Sequence, residues 1–191
     1  LEHTRFGNTI SGTFDDYDVL LGASCGMNTP VKEQSTSVRG AHVDVTGQLY
    51  AGLLYMRDPE DTSVGGDLDL YRFKYEPAFN ASNDALESSV ESVKTIAYEA
   101  NTLILFLNTV DSLHGVTPRS VTPFSRRFFV FGATVGQELF DMEPHRVDIS
   151  AQAGAMKRTV ALIKQGKIAE SLQCYDENCR PRLRCTPEWV N

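Results

Sequence analysis

Long hydrophobic runs are missing from this sequence. The longest, Leu103 to Leu107, falls far short of the roughly 20 apolar residues a bilayer-spanning helix needs, so no membrane partner is expected. Basic charge is scarce as well: 18 Lys and Arg stand against 25 Asp and Glu, for a net charge of −7. Apart from Arg180, Arg182 and Arg184 there is no basic cluster, and phosphate binding needs one, so nucleic acid is not an expected partner. Cysteines are few. Cys25 stands alone, and Cys174, Cys179 and Cys185 crowd the C-terminal end at C-x4-C and C-x5-C spacings, without the C-x2-C pair of a structural zinc site. The expected state is reduced thiols in a cytoplasmic protein, with a disulfide inside the tail as the alternative. Asn80-Ala81-Ser82 fits the glycosylation triplet, a pattern frequent by chance. No secretory leader is legible at Leu1, but the chain does not open on Met, so that absence carries little weight.

What is there is an ordinary globular balance, 41% hydrophobic and 23% charged over 191 residues, which suits one domain with its own core. The first forty residues are polar and rich in Gly, Thr and Ser, with little periodicity. Strand-like runs then follow: Gln48 to Met56, Asp67 to Phe73 after the Gly65-Gly66 pair, Val93 to Tyr98, Thr102 to Asn108, His114 to Val116, and Arg126 to Val135. The third and fourth read as a pair joined at Glu99-Ala100-Asn101, and Asn83 to Val93 as a helical turn or a loop. Short β-branched and aromatic runs broken by Gly, Asn, Asp and Pro predict an antiparallel sandwich or barrel rather than a βαβ fold. Beyond Pro144 the spacing of Ala153, Met156, Val160, Ile163, Ile168 and Leu172 predicts a helix capped by Asp148 or Ser150. The expectation is one domain over 1–191, with a β core at 38–135, a helical region at 148–173 and a Cys-containing tail at 174–191.

Only four histidines are present. His42-Val43-Asp44 is an H-x-D triplet at a strand start, and residues two apart on an extended chain share a face, so imidazole and carboxylate can converge on one ion. His114 is the candidate third ligand. Two histidines and a carboxylate on one side of an ion form a facial triad with open positions opposite. Taken alone, H-x-D arises by chance, and a loop histidine bonded to the neighbouring carboxylate explains His42 equally well. His3 and His145 have no metal-spaced partners.

The context of the two halves is more specific. Arg39 to Tyr71 (RGAHVDVTGQLYAGLLYMRDPEDTSVGGDLDLY) resembles the H-x-D half of the 2-oxoglutarate/Fe(II)-dependent dioxygenases, in their prolyl-4-hydroxylase-like branch. Asn101 to Phe131 (NTLILFLNTVDSLHGVTPRSVTPFSRRFFVF) resembles the second half, with an Asn before an apolar strand, His-Gly-Val-x-Pro, then an arginine on the next strand. The resemblance covers residues 38 to 135. It implies a mainly β fold with flanking helices around a double-stranded β-helix, or jelly-roll, core. It also implies iron ligation by His42, Asp44 and His114, with 2-oxoglutarate and O2 as cosubstrates.

In such enzymes an arginine on the last core strand holds the distal carboxylate of 2-oxoglutarate, as a guanidinium fork can. Alternation puts Arg126, Phe128 and Val130 on one face and Arg127, Phe129 and Phe131 on the other. The family pattern favours Arg126 over Arg127, although the interval from His114 is longer than usual. Tyr55 matches a tyrosine that supports the same carboxylate in some relatives; its plain alternative is a core aromatic. The implied reaction hydroxylates an unactivated C–H bond of a prolyl peptide or small molecule, releasing succinate and CO2. Asp44, in place of the small residue of halogenating relatives, favours hydroxylation. Arg119 reads as a solvated loop charge, with an anionic substrate as the alternative partner, and Asp67 and Asp69 as a solvated strand face. Relatives have a longer region before the H-x-D segment, so the expectation is that this region is shortened or lies outside the sequence. The competing readings are a non-catalytic metal-binding β-sandwich and a cupin-type metal enzyme that does not use 2-oxoglutarate; neither needs an inward Arg126.

Overall fold

The structure, a computed structural model, describes residues 4–147. The expected helical region at 148–173, the cysteine tail and His3 lie outside the described residues. Among these the chain is built of strands: β1 (Phe6–Asn8), β2 (Val19–Asn28), β3 (Gln48–Tyr55), β4 (Leu68–Phe73), β5 (Val90–Ile96), β6 (Leu103–Leu107), β7 (His114–Val116) and β8 (Arg126–Val135). Two single 3₁₀ turns, Glu87–Ser89 and Glu143–His145, are their only helical elements, and none is long and apolar enough to cross a membrane.

The strands form two sheets. The larger runs β1-β2-β8-β3-β6 and the smaller β5-β4-β7. The smaller continues past β7, because His42 bridges both His114 and Asp84. From β2 onward the chain passes repeatedly between the layers: large sheet at β2, small at His42, large at β3, small at β4 and β5, large at β6, small at β7, large at β8. That winding is a double-stranded β-helix, and full pairing of the inner strands follows from the need to satisfy every buried backbone group.

Two expectations are corrected by this topology. The polar first forty residues contain the ten-residue strand β2, which pairs along its whole length with β8, from Val19↔Val135 to Asn28↔Arg126. β5 and β6 are not a hairpin either: Glu99-Ala100-Asn101 carries the chain from one sheet to the other, with Asn101 at φ +65°. The Asn83 to Val93 stretch resolves into one 3₁₀ turn feeding directly into β5.

Between the layers, Tyr55, Leu68, Tyr98 and Ile104 form a buried cluster, flanked by Leu53, Leu70, Phe106 and Phe128. A second cluster, around Ala41, Val43, Phe79, Leu113 and Met142, covers the outer side of the small sheet. Strand alternation links the two clusters to the site. Ala41 and Val43 are drawn outward into apolar surroundings, which turns His42 and Asp44 the opposite way, between the sheets. On the outer face of the large sheet Leu103, Leu105 and Leu107 of β6 are exposed.

Candidate metal centre

His42 and His114 sit side by side because their backbones exchange both hydrogen bonds, His42 N–H to His114 O at 2.9 Å and His114 N–H to His42 O at 3.0 Å. This hydrogen-bonded antiparallel pairing fixes the two side chains on one face. Gly115 permits the approach: a Cβ there would lie 2.7 Å from the Gly40 carbonyl oxygen. Each imidazole donates its Nδ1–H to the carbonyl two residues upstream, His42 to Gly40 and His114 to Ser112, both at 2.9 Å. Each Nε2 is thereby turned away from these carbonyls and toward Asp44. The two Nε2 atoms stand at the same distance, 3.9 Å, from Asp44 Oδ1, and the potential ligand atoms of the three residues lie within 4.8 Å of one another.

The carboxylate is oriented in turn. Gln48 Nε2 donates to Asp44 Oδ2 at 3.3 Å, and Asn83 Nδ2 donates to the Asp44 carbonyl at 3.3 Å. Such outer contacts hold ligand geometry at metal sites. Burial, reinforced by the neighbouring His114, pushes the His42 imidazole down to about 4, so near neutral pH it is the uncharged donor a metal requires. Two imidazole nitrogens and one carboxylate oxygen are the donor set of a facial triad, and that chemistry fits a divalent iron.

A buried side-chain amide ties the two ligand segments together, a role the motif reading missed. Asn108, buried, donates to the carbonyls of Val45 at 2.8 Å and Gln48 at 3.0 Å, and accepts from Ser112 Oγ at 3.2 Å. The loop after Asp44 and the loop before His114 are thus held by one side chain. Its signal was present: Asn108 continues the inward alternation of Ile104 and Phe106 past the end of β6.

Further along the same interior, past Phe106, whose ring lies 4.7 Å from that of His114, lies a guanidinium. Arg126 is 3% exposed, whereas the Arg127 side chain is 52% exposed and points outward toward Asp58. Arg126 Nε donates to the Gly66 carbonyl at 2.7 Å, Nη1 to Asn28 Oδ1 at 3.3 Å and Nη2 to the Tyr55 hydroxyl at 3.0 Å. Three rings surround it, with centroids 4.9, 5.0 and 4.9 Å away for Tyr55, Tyr98 and Phe128. No carboxylate among the described residues pairs with it. Burial lowers the Arg126 pKa and raises that of Tyr55; the phenol therefore stays protonated, accepting from Arg126 while keeping its own proton to donate.

The glycine pair shapes this end. Gly65 and Gly66 have φ of +83° and +76°, and a Cβ on Gly65 would lie 2.0 Å from the Pro118 carbonyl oxygen. Only glycine accepts both the left-handed backbone and the contact. Arg119 is the other correction. It is 3% exposed, with Nη2 bound to Asp61 Oδ2 at 2.6 Å and Nε to Ser63 Oγ at 2.9 Å, and so is no solvated loop charge. Asp67 is likewise engaged, accepting from the Tyr98 N–H at 2.8 Å.

No family model matches the chain, and no curated protein does. Among solved structures, one from work on prolyl 4-hydroxylases of Phytophthora capsici is similar at 17% identity and a TM-score of 0.37, over 82% of this chain and 50% of that one. The chain thus spans about half the length of that protein.

Proposed function

We propose that this chain is an Fe(II)- and 2-oxoglutarate-dependent dioxygenase that hydroxylates an unactivated C–H bond, in a prolyl peptide or small molecule, with release of succinate and CO2. The observation that carries the reading is Arg126: a buried cation with no anionic partner among the described residues, on the same interior as a two-histidine, one-carboxylate cluster. Burying an unpaired charge costs several kcal/mol, and a ligand carboxylate offsets that cost when it binds. A metal-binding sandwich without 2-oxoglutarate has no use for such a residue.

Iron in the triad would supply activation of O2 and of the 2-oxo acid. The chain supplies the rest. His42 and His114 present their Nε2 atoms as donors, and Asp44 offers a carboxylate oxygen. Arg126 would take the distal carboxylate as a charge-assisted fork, with the Tyr55 hydroxyl donating a further bond. Leu53, Ile104 and Phe106 form an apolar wall between the two ends, which excludes water from the reacting groups. Asp44 occupies the position that a halogenating enzyme would leave open, so hydroxylation is the favoured outcome.

The test is an anaerobic titration of the Fe(II)-loaded protein with 2-oxoglutarate, following the weak visible absorption of an iron-bound 2-oxo acid. A band present in the wild type and absent in His114→Ala is expected. Iron uptake without a band would favour the cupin-like reading, and failure to take up iron would remove the triad itself.

A further inference from the structure

We infer that Tyr98 is a positioning residue that sets the Arg126–Tyr55 pair and, through it, the preference for a ligand with a distal carboxylate. The inference rests on the reading of Arg126 given above. Tyr98 lies just past β5 in the small sheet and is fully buried at 0% exposure. Its hydroxyl crosses to the large sheet, donating to the Arg127 carbonyl at 3.2 Å and accepting from the Arg127 N–H at 2.8 Å. Both backbone groups of the residue next to Arg126 are therefore held by one side-chain oxygen. These groups face β3, where Met56 N–H also donates to the Arg127 carbonyl at 3.0 Å, so the hydroxyl fixes β8 just past the end of its pairing with β3.

The ring of Tyr98 acts on the side chains. Its centroid lies 5.0 Å from the Arg126 guanidinium carbon, and it meets the Tyr55 ring edge-on at 5.0 Å and 75°. It thus supports both members of the pair, the guanidinium through its π face and the phenol through an edge contact. Tyr98 is itself clamped by its main chain. Its N–H donates to Asp67 Oδ1 at 2.8 Å, and its carbonyl accepts from Arg57 Nη1 at 3.1 Å. A residue so fixed, touching the anchor from the backbone side and from the ring side, dictates where the anchor points. None of these contacts involves the triad, so Tyr98 acts on the distal end of the ligand alone.

Tyr98→Phe removes the hydroxyl and keeps the ring. Binding is measured by anaerobic calorimetry on the Fe(II)-loaded full chain, with 2-oxoglutarate and with 2-oxobutyrate, which lacks the distal carboxylate. The expected result is roughly tenfold weaker 2-oxoglutarate binding, the scale of one well-placed hydrogen bond, with 2-oxobutyrate unchanged. Tyr98→Leu, which also removes the ring, should go further in the same direction. A purely structural role would lower the unfolding temperature and weaken both ligands in parallel, and that result overturns the inference. Unchanged 2-oxoglutarate affinity in the variant, with normal binding by the wild type, overturns the inference alone. A wild type that takes up iron but neither acid overturns it together with the reading of Arg126.

Discussion

Replacing Arg126 by Leu separates ligand binding from folding, because binding depends on this side chain far more than folding does. For a bound dicarboxylate, truncating one partner of a buried, hydrogen-bonded charge pair costs about 2–5 kcal/mol. That corresponds to roughly 30-fold to several thousand-fold weaker binding. For the empty protein the terms oppose each other. The Gly66 carbonyl, the Tyr55 hydroxyl and Asn28 Oδ1 lose their donors, at about 1–3 kcal/mol for each group left dry. Against this, an unpaired buried cation disappears, together with its desolvation cost of several kcal/mol. The ligand-free unfolding temperature should therefore move little. The stabilisation by 2-oxoglutarate, about 2.7 kcal/mol at a hundredfold excess over its dissociation constant, should vanish. Anaerobic thermal unfolding of the Fe(II)-loaded chain, with and without 2-oxoglutarate, reads both quantities. If the variant is stabilised by 2-oxoglutarate as much as the wild type, Arg126 is not the anchor. If it loses iron as well, the residue supports the metal centre instead.

Two further perturbations test the surroundings. Asp61→Asn leaves Arg119 without its buried counter-ion and should cost about 3 kcal/mol of stability near neutral pH. Burial raises the Asp61 carboxyl, yet hydrogen bonds from Ser63 and Arg119 carry the net shift downward. Its contribution is thus present above the unfolded value of about 3.9 and lost as pH falls through the lower folded one; denaturant midpoints of the two proteins should converge in acid and stay apart at pH 7. Asn108→Ala should cost about 1–3 kcal/mol for its unpaired buried carbonyl partners and weaken metal uptake in an Fe(II) or Mn(II) titration, since both ligand segments loosen. Iron affinity unchanged in that variant would show that the tie is not needed for the site.

The jelly-roll class and the later strands were legible because their residues advertise themselves. β6 alternates Ile104 and Phe106 inward with leucines outward, and β8 alternates Arg126 and Phe128 with Arg127 and Phe129. β2 was invisible for a physical reason. Its inward positions include Gly22 and Gly26, and a Cβ on Gly26 would lie 2.3 Å from the Phe128 ring; the space belongs to the partner strand's side chain, so no hydrophobic period is written in β2 itself. The hairpin expected at Glu99-Ala100-Asn101 failed because turn chemistry reports a reversal, not which sheet receives the next strand. At the site, His42, Asp44 and His114 could be picked out from motif context, and the structure brings them together. Arg119 and Tyr98 could not be placed, because their partners lie across the sandwich and not in their own segment.

The backbone exchange between His42 and His114 also bears on how the chain reaches its folded state. These residues close a loop of about seventy positions, whose closure costs roughly 4 kcal/mol of chain entropy, and two hydrogen bonds on a three-residue strand are a weak clasp for it. An ion gripped by both imidazoles would act as a reversible crosslink at that junction, holding shut a contact between distant parts of the chain. Metal would then govern how often β7 peels from the H-x-D segment, and amide exchange at His42 and His114 should slow on loading more than exchange anywhere along β8.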